Sequence, residues 1–273
     1  MSSLAIMSTL IGRELRTAAR TRSYYLLGLA VGVVLFGLTF GGGGAATGYI
    51  PAVVDLLLPL EILVPAVAVA IGYRAIPSDL DRGEVAMLDT YAVSPSAYVG
   101  AVYLGRAAVL SAIVGGALVA VGVVVAVTAA PDTGVFATQS GVDSPILFGR
   151  FLVVTLLFGN AILAVVVLAS VVVATARTAI VAAIGGVLAV VVGGEAAILL
   201  GVLDGMLDEA TLQIALGLIP NSAYRGIVFE TVVGVLSAGE SGYASPLVSA
   251  VGLLLWTLVP LGAAAGLLRW RLR

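Results

Sequence analysis

The chain has 273 residues, of which 61% are hydrophobic and only 10% are charged. A soluble domain of this composition would expose large apolar patches, so the sequence excludes an ordinary soluble protein and predicts a membrane protein. It contains no cysteine, histidine or lysine, and all thirteen basic residues are arginine. Disulfides, His- or Cys-based metal sites and a lysine-containing Walker A loop are therefore excluded. We expect no cofactor and no metal, and we expect that the chain is not an enzyme.

Six apolar stretches are long enough to cross the roughly 30 Å hydrocarbon core of a bilayer as helices. They cover approximately residues 24–46, 51–73, 104–128, 147–175, 178–203 and 246–268. The second stretch contains Pro51, Pro59 and Pro65, so we expect that helix to be kinked or broken. Only Thr-Ala-Arg-Thr separates the fourth stretch from the fifth, which predicts a tight antiparallel pair. The predicted fold class is all-α integral membrane, with residues 1–273 forming a single domain.

Residues 1–22 predict a helix that lies along the membrane surface. Their apolar side chains share one helical face: Leu4, Met7, Ile11 and Leu15. The arginines lie on the opposite face: Arg13, Arg16 and Arg20. A surface helix of this kind directs its arginines toward lipid headgroups and water. A positive cluster that only sets topology would give the same pattern, and the sequence leaves this alternative open.

The distribution of arginines predicts the orientation of the chain. If the N-terminus is cytoplasmic, eleven of the thirteen arginines fall on the cytoplasmic side, and Arg150 and Arg225 are the two exceptions. Reversing the topology would reverse this split. We therefore predict a multi-pass protein of the cell membrane with both termini in the cytoplasm.

A charged loop at residues 79–98 separates the second and third apolar stretches and is predicted to be cytoplasmic. It reads as a short helix with an acidic edge and an apolar edge, a form that suits docking in a groove on another protein. A merely solvated loop is the alternative. The candidate docking residues are Asp79, Asp81, Arg82, Gly83, Glu84, Met87, Leu88 and Tyr91.

Glu61 and Glu195 are acidic residues deep in the second and fifth apolar stretches. An acidic residue at the bilayer centre costs on the order of 2.5–3.5 kcal/mol on insertion scales, which the surrounding Leu, Ile and Val residues can offset. Charged residues inside membranes usually face protein or a water-filled path. We therefore expect Glu61 and Glu195 to lie at an oligomer or helix interface, or to belong to a substrate or proton pathway.

Residues 204–245 precede the last apolar stretch and contain two apolar pieces, at about 212–219 and 226–238. Each piece is too short to cross the bilayer. We expect short helices on the extracellular side, or a re-entrant hairpin that breaks at Pro220 and Asn221. One long seventh span is the alternative, and it would place the C-terminal arginines outside.

Three segments resemble the family of ABC transporter type-2 permeases, in particular the branch related to the permease of nitrous-oxide reductase maturation (NosY-like). The opening "GRELRTAARTRSYY" resembles the basic N-terminal motif of that family. Before the last span, the chain matches the family at Asn221, Ala223, Tyr224 and Arg225. Around the charged loop, the matching positions are Gly72, Tyr73, Ile76, Asp81, Arg82, Gly83, Val93, Ser94, Tyr98, Gly100, Leu104 and Gly105.

The resemblance implies a six-span permease that forms a homodimer, or pairs with a second permease, and binds a separate cytoplasmic ABC ATPase subunit. It also implies that the charged loop is the coupling helix seated in the ATPase. Asn221, Tyr224 and Arg225 would belong to an outer gate. We expect membrane lipids as neighbours and no nucleic acid.

The function predicted from the sequence is that of the membrane-spanning subunit of an ABC exporter. An ion-coupled secondary transporter, with Glu61 and Glu195 as relay groups, is one alternative. A non-transporting membrane scaffold that relays ATPase motion to an external protein is another. The sequence does not identify a substrate.

Overall fold

The computed structural model describes residues 3–77, 93–129, 143–173, 175–234 and 244–271. Within these ranges the chain forms helices joined by turns, and no strand is present there. One π-helical turn covers Ser111–Gly115, and a second covers Phe229–Val233. The helices are α1 (Ser3–Arg20), α2 (Arg22–Gly42), α3 (Gly44–Thr47), α4 (Tyr49–Gly72), α5 (Pro95–Leu110), α6 (Gly116–Thr128), α7 (Pro145–Val172), α8 (Ala176–Leu203), α9 (Glu209–Leu218), α10 (Pro220–Val228) and α11 (Pro246–Arg271).

Six helical units in the described residues are long and apolar enough to cross a membrane. They are α2, α4, the continuous unit Pro95–Thr128 made of α5, the π-helical turn and α6, then α7, α8 and α11. The prediction of an all-α, multi-pass membrane protein with six spanning helices is therefore confirmed by length and composition. The third unit begins at Pro95, well before residue 104, because Ser94 caps it: the Ser94 hydroxyl accepts the backbone N–H of Ala97 at 3.2 Å.

Of the two expectations for the second spanning helix, a kink or a break, the structure excludes the break. α4 runs without a break from Tyr49 to Gly72, with Pro59 and Pro65 inside it. Each proline removes one backbone hydrogen bond, but packing against neighbouring helices can hold a membrane helix together across it. α4 is packed in this way, since most of its residues are buried and it contacts α2, α5 and α7.

The core of the bundle is formed where α4, α5 and α7 approach each other closely. A Cβ added at Gly159 of α7 would lie 2.9 Å from the Leu110 side chain and 3.0 Å from the Val64 side chain. The side chains of Phe151 and Phe158, also on α7, are fully buried. The missing side chain of Gly159 therefore lets three spanning helices meet at one level of the bundle.

The connections fix which helix ends lie together. The Asp143 carboxylate, just before α7, accepts the first N–H groups of α4, from Tyr49 at 2.5 Å and from Ile50 at 3.0 Å. Arg271, at the end of α11, donates to the carbonyl of Val172, the last residue of α7, at 2.5 Å. These contacts define two ends of the bundle: the α1 end, where α4 and α7 finish, and the α9 end, where they begin. α7 and α8 are joined by residues 173–175 and pack side by side, as the short connection predicts.

In residues 204–234, the described part of the segment before α11, two short helices stand in place of one long span. The helix break falls at Ile219, whose backbone is extended (φ −91°, ψ 127°), and Pro220 opens α10. Proline suits a first helical position because its missing N–H would be unpaired there anyway. Eight of the nine residues of α10 are buried, so this short helix is packed inside the bundle.

We expect replacement of Gly159 by leucine to destabilise the bundle, because even its Cβ would press on Leu110 and Val64. Overpacking of this kind typically lowers the free energy of unfolding by about 1–3 kcal/mol. The matched control is Gly149→Leu on the same helix, where no described atom of a neighbouring element lies within 4 Å of the added Cβ. The thermal unfolding midpoint in detergent should fall for Gly159→Leu only. Equal midpoints for the two variants would contradict this packing.

Candidate functional site

Five polar side chains from three helices meet inside the bundle, and we call them the core polar cluster. Glu61 comes from α4, Glu195 from α8, and Asn221, Ser222 and Arg225 from α10. Glu61 lies twelve residues after the start of α4, about 18 Å along the helix at 1.5 Å per residue. The cluster therefore lies about midway along α4, far from either end.

Glu61 and Arg225 form a two-point ion pair. Arg225 donates from Nε to Glu61 Oε1 at 2.9 Å and from Nη2 to Glu61 Oε2 at 2.6 Å. Only 6% of Glu61 is exposed, and Arg225 is partly buried. Parallel charge-assisted hydrogen bonds of this kind are stronger than neutral ones and fix the geometry of both groups. The pair therefore holds α10 against the middle of α4.

Asn221 and Ser222 connect the same helix to Glu195. Asn221 Nδ2 donates to Glu61 Oε2 at 3.0 Å and to Glu195 Oε1 at 3.4 Å, while the Ser222 hydroxyl donates to Glu195 Oε1 at 2.7 Å. One amide group thus bridges two carboxylates. With both carboxylates ionised, the five side chains carry two negative charges and one positive charge, a formal excess of one negative charge.

The sequence of α10 explains how it binds three helices at once. Asn221 and Arg225 are four residues apart, so they share one helical face, and Ser222 lies beside it. Tyr224 points elsewhere: its ring stacks on Phe158 of α7 at 4.8 Å between centroids, and its hydroxyl lies 3.1 Å from the Thr155 hydroxyl. α10 therefore has a polar face toward α4 and α8 and an aromatic anchor toward α7.

A second polar contact joins α1 to the spanning helices, and we call it the surface-helix clamp. Glu14 of α1 is 9% exposed and lies 3.4 Å from Arg106 of α5. Arg106 also donates to the Ile71 carbonyl near the end of α4 at 3.3 Å and to the Tyr24 hydroxyl of α2. A Cβ at Gly105 would lie 2.4 Å from the Cβ of Glu14, so α1 lies directly against α5. One guanidinium therefore connects four helices at the α1 end.

The structure brings together four of the sequence-predicted residues, Glu61, Glu195, Asn221 and Arg225, in the core polar cluster. Tyr224 lies apart from them, against α7. On α1, Arg16 and Arg20 are exposed and Arg13 lies 3.2 Å from Glu14. The predicted docking residues of the charged loop lie outside the described residues: Asp79, Asp81, Arg82, Gly83, Glu84, Met87, Leu88 and Tyr91.

Sequence reasoning missed three residues that matter here. Glu14 carried a signal, because it is an acidic residue within a helix whose other charges are arginines. Arg106 served only to set the predicted topology, and Ser222 carried no signal beyond its position after Asn221. Across the described parts of the chain, no three acidic side chains converge as a metal site would require.

We expect Glu61→Gln to destabilise the protein, because it removes the two-point ion pair with the guanidinium of Arg225. Removing one partner of a buried pair costs about 3–5 kcal/mol, and the partial exposure of Arg225 reduces this to about 2 kcal/mol. The free energy of unfolding can be measured by SDS titration in mixed micelles. Glu209→Gln, which removes an exposed carboxylate from α9, is the control and should have little effect.

The double variant, Glu61→Gln with Arg225→Gln, tests whether the two effects belong to one interaction. If the two groups are paired, the double variant should lose less free energy of unfolding than the two single variants lose together. The difference should be about 1 kcal/mol or more. Additive losses would show that the two side chains do not interact in the folded protein.

Comparison with known proteins does not assign this site. The chain matches no model of a protein family, and no curated protein matches it.

Proposed function

We propose that the chain is the membrane-spanning permease subunit of an ABC exporter, driven by a separate cytoplasmic ATPase. In this proposal the α1 end and both termini are cytoplasmic, and the α9 end is extracellular. Two copies, or this chain and a second permease, form the transport pathway. The absence of lysine supports a separate ATPase, because a Walker A loop in this chain is excluded.

The observation that carries the proposal is the core polar cluster. Replacing a buried ion pair by apolar side chains is often neutral or stabilising, so stability alone gives little reason to hold α10 with charges. Charged residues inside membrane bundles typically mark a pathway or a moving part. The Glu61–Arg225 contact can separate into two hydrated charges when water enters, whereas it stays closed in a dry bundle. It is therefore suited to an outer gate with a closed and an open arrangement.

The surface-helix clamp offers a mechanical route from the cytoplasmic side to this gate. In the sequence the charged loop connects α4 to α5, and Arg106 joins α1, α2, α4 and α5. These helices can therefore move as one unit when the loop is displaced. Because α4 also carries Glu61, such a movement would change the position of Glu61 relative to Arg225. ATP binding would drive it only if the closed ATPase favours one arrangement of the bundle over the other.

The ion pair also supports the proposed orientation. Arg225 is one of two arginines that the positive-inside pattern leaves on the outer side. Its guanidinium is bound to Glu61 on α4 and is therefore not a free charge at a membrane surface. A paired arginine carries little weight in setting topology, so the exception does not weaken the N-in, C-in assignment.

The resemblance to type-2 permeases supplies the remaining parts of the proposal. It assigns the coupling role to Asp79, Asp81, Arg82, Gly83, Glu84, Met87, Leu88 and Tyr91. It also assigns the outer gate to the segment of Asn221, Tyr224 and Arg225, and this segment supplies Asn221, Ser222 and Arg225 to the core polar cluster. The substrate stays unassigned.

We expect the double reversal Asp81→Arg with Glu84→Arg to lower recovery of the ATPase partner by about tenfold. Reversing two charges at a docking surface juxtaposes like charges, and tenfold corresponds to about 1.4 kcal/mol. The measurement is co-purification of the ATPase with the tagged permease from membranes. Asp208→Arg with Glu209→Arg, which reverses two adjacent acidic residues at the α9 end, is the matched control and should leave recovery unchanged. Full recovery with the reversed loop would rule out docking at this loop.

One observation favours an ion-coupled carrier as a second candidate. The core polar cluster has one more carboxylate than guanidinium, and Asn221 Oδ1 is buried without a hydrogen-bond partner among the described residues. A proton or small cation at Glu195 would balance the charge. In proteoliposomes without any ATPase, a carrier would transport substrate under an ion gradient and lose this activity in Glu195→Gln. An ABC permease would be inactive there until its ATPase and ATP are supplied.

A further inference from the structure

The core polar cluster contains one carboxylate without a charged partner. Arg225 donates to both oxygens of Glu61, so the charges of that pair balance. Glu195 receives only neutral donors at its Oε1, the Ser222 hydroxyl at 2.7 Å and the Asn221 amide at 3.4 Å. Within the described residues, no ion pair includes Glu195. Its ionised carboxylate is therefore an unbalanced negative charge inside the bundle, where such a charge is costly.

The same cluster contains an oxygen that accepts no hydrogen bond. Asn221 is 5% exposed, and its Oδ1 is buried without a partner in the part of the chain that the structure describes. The other end of the amide fixes its orientation, since Nδ2 donates to Glu61 at 3.0 Å and to Glu195 at 3.4 Å. Turning the amide over would place Oδ1 against the ionised Glu61, which is unfavourable. Oδ1 is therefore a buried acceptor within the cluster, and such an acceptor needs a donor or a cation.

An unbalanced carboxylate beside an unpaired amide oxygen suits a small cation. Hard cations bind carboxylate, carbonyl and hydroxyl oxygens, and Glu195, Asn221 and Ser222 supply one of each kind. The Ser222 hydroxyl donates its hydrogen to Glu195, so the lone pairs of its oxygen are free for an ion. A monovalent ion balances the single negative charge, whereas a divalent ion would leave an excess positive charge inside the bundle.

The break between α9 and α10 is a further feature typical of cation sites in membranes. It packs against α8 next to Glu195, because a Cβ on Gly194 would lie 2.9 Å from the Ile219 side chain. The last carbonyl groups of a helix have no partner within that helix. One of those in α9, the carbonyl of Leu218, accepts the indole N–H of Trp256 at 2.7 Å. In membrane transporters, carbonyls at helix breaks of this kind bind Na⁺ near the bilayer midplane.

We propose that the core polar cluster binds one Na⁺, held by the Glu195 carboxylate, Asn221 Oδ1 and the Ser222 hydroxyl oxygen. The ion ties α8 to the first turn of α10, as Arg225 ties α10 to α4. A sodium ion here contradicts the sequence-based expectation that the chain holds no metal. The site is compatible with either candidate function, because it depends on the contacts of the cluster and needs neither an ATPase nor a substrate.

The first test compares sodium with a cation too large for the site. The thermal unfolding midpoint of the purified protein in detergent is measured in NaCl and in choline chloride at equal ionic strength. Because the ion binds only the folded state, we expect Na⁺ to raise the wild-type midpoint by about 2–4 °C. Glu195→Gln keeps the shape of the side chain and removes its charge, so its two midpoints should coincide. Glu209→Gln, which removes an exposed carboxylate of α9, is the control and should retain the full shift.

The second test measures equilibrium binding of radioactive sodium to the purified protein. We expect the wild type to bind one Na⁺ per chain. Loss of a group that supports a metal site typically lowers the affinity 10–100-fold, so Ser222→Ala should weaken binding by about tenfold or more. Ser249→Ala is the matched control: it removes an equally buried hydroxyl from α11, outside the cluster, and should bind sodium as the wild type does.

Three results would overturn the proposal. Equal wild-type midpoints in NaCl and choline chloride would show that the folded protein has no sodium site. A sodium shift that persists in Glu195→Gln would place the ion elsewhere. If acidification without sodium raises the wild-type midpoint, but not that of Glu195→Gln, the occupant is a proton. None of these results bears on the proposed permease function, because recovery of the ATPase partner tests that function separately.

Discussion

The hydrocarbon core of the membrane tolerates few unpaired charges, and the arrangement of this protein follows from how it meets that constraint. Glu61 and Glu195 lie in the middle parts of two spanning helices, where ionised carboxylates would be costly alone. Both are bound by α10, a nine-residue helix too short to cross the bilayer. The carboxylates of α4 and α8 therefore need α10 inside the bundle to pair with them. The guanidinium of Arg225 likewise needs the carboxylate of Glu61.

Close approaches of the backbone make this arrangement possible. Gly194 precedes Glu195, and a Cβ there would lie 2.9 Å from Ile219 at the break between α9 and α10. At the other side of α9, a Cβ at Gly252 of α11 would lie 2.1 Å from the Gly217 carbonyl. The α9–α10 hairpin is thus held between α8 and α11 by positions that cannot carry a side chain. Charge pairing and glycine packing act on the same short segment.

Two polar contacts at different levels of the bundle share one helix. Near its end at Ile71, α4 is held by Arg106, and in its middle it is held through Glu61. Because α4 also borders the charged loop, it is the element that connects the α1 end with α10. The proposed permease function requires such a continuous element, since a displacement at one membrane surface must change contacts in the membrane interior.

The sequence by itself determined the class of the protein and its spanning helices, because the hydropathy of a long apolar run depends on local composition alone. It also singled out Glu61 and Glu195, since an acidic residue in such a run is exceptional. The tertiary structure decided which polar groups pair with each other and whether α4 is continuous. Asn221 is 26 residues from Glu195 and 160 from Glu61, and Arg225 is 164 residues from Glu61, so no local pattern predicts those pairs. The continuity of α4 across its prolines was decided in the same way, because neighbouring helices compensate for the lost backbone hydrogen bonds.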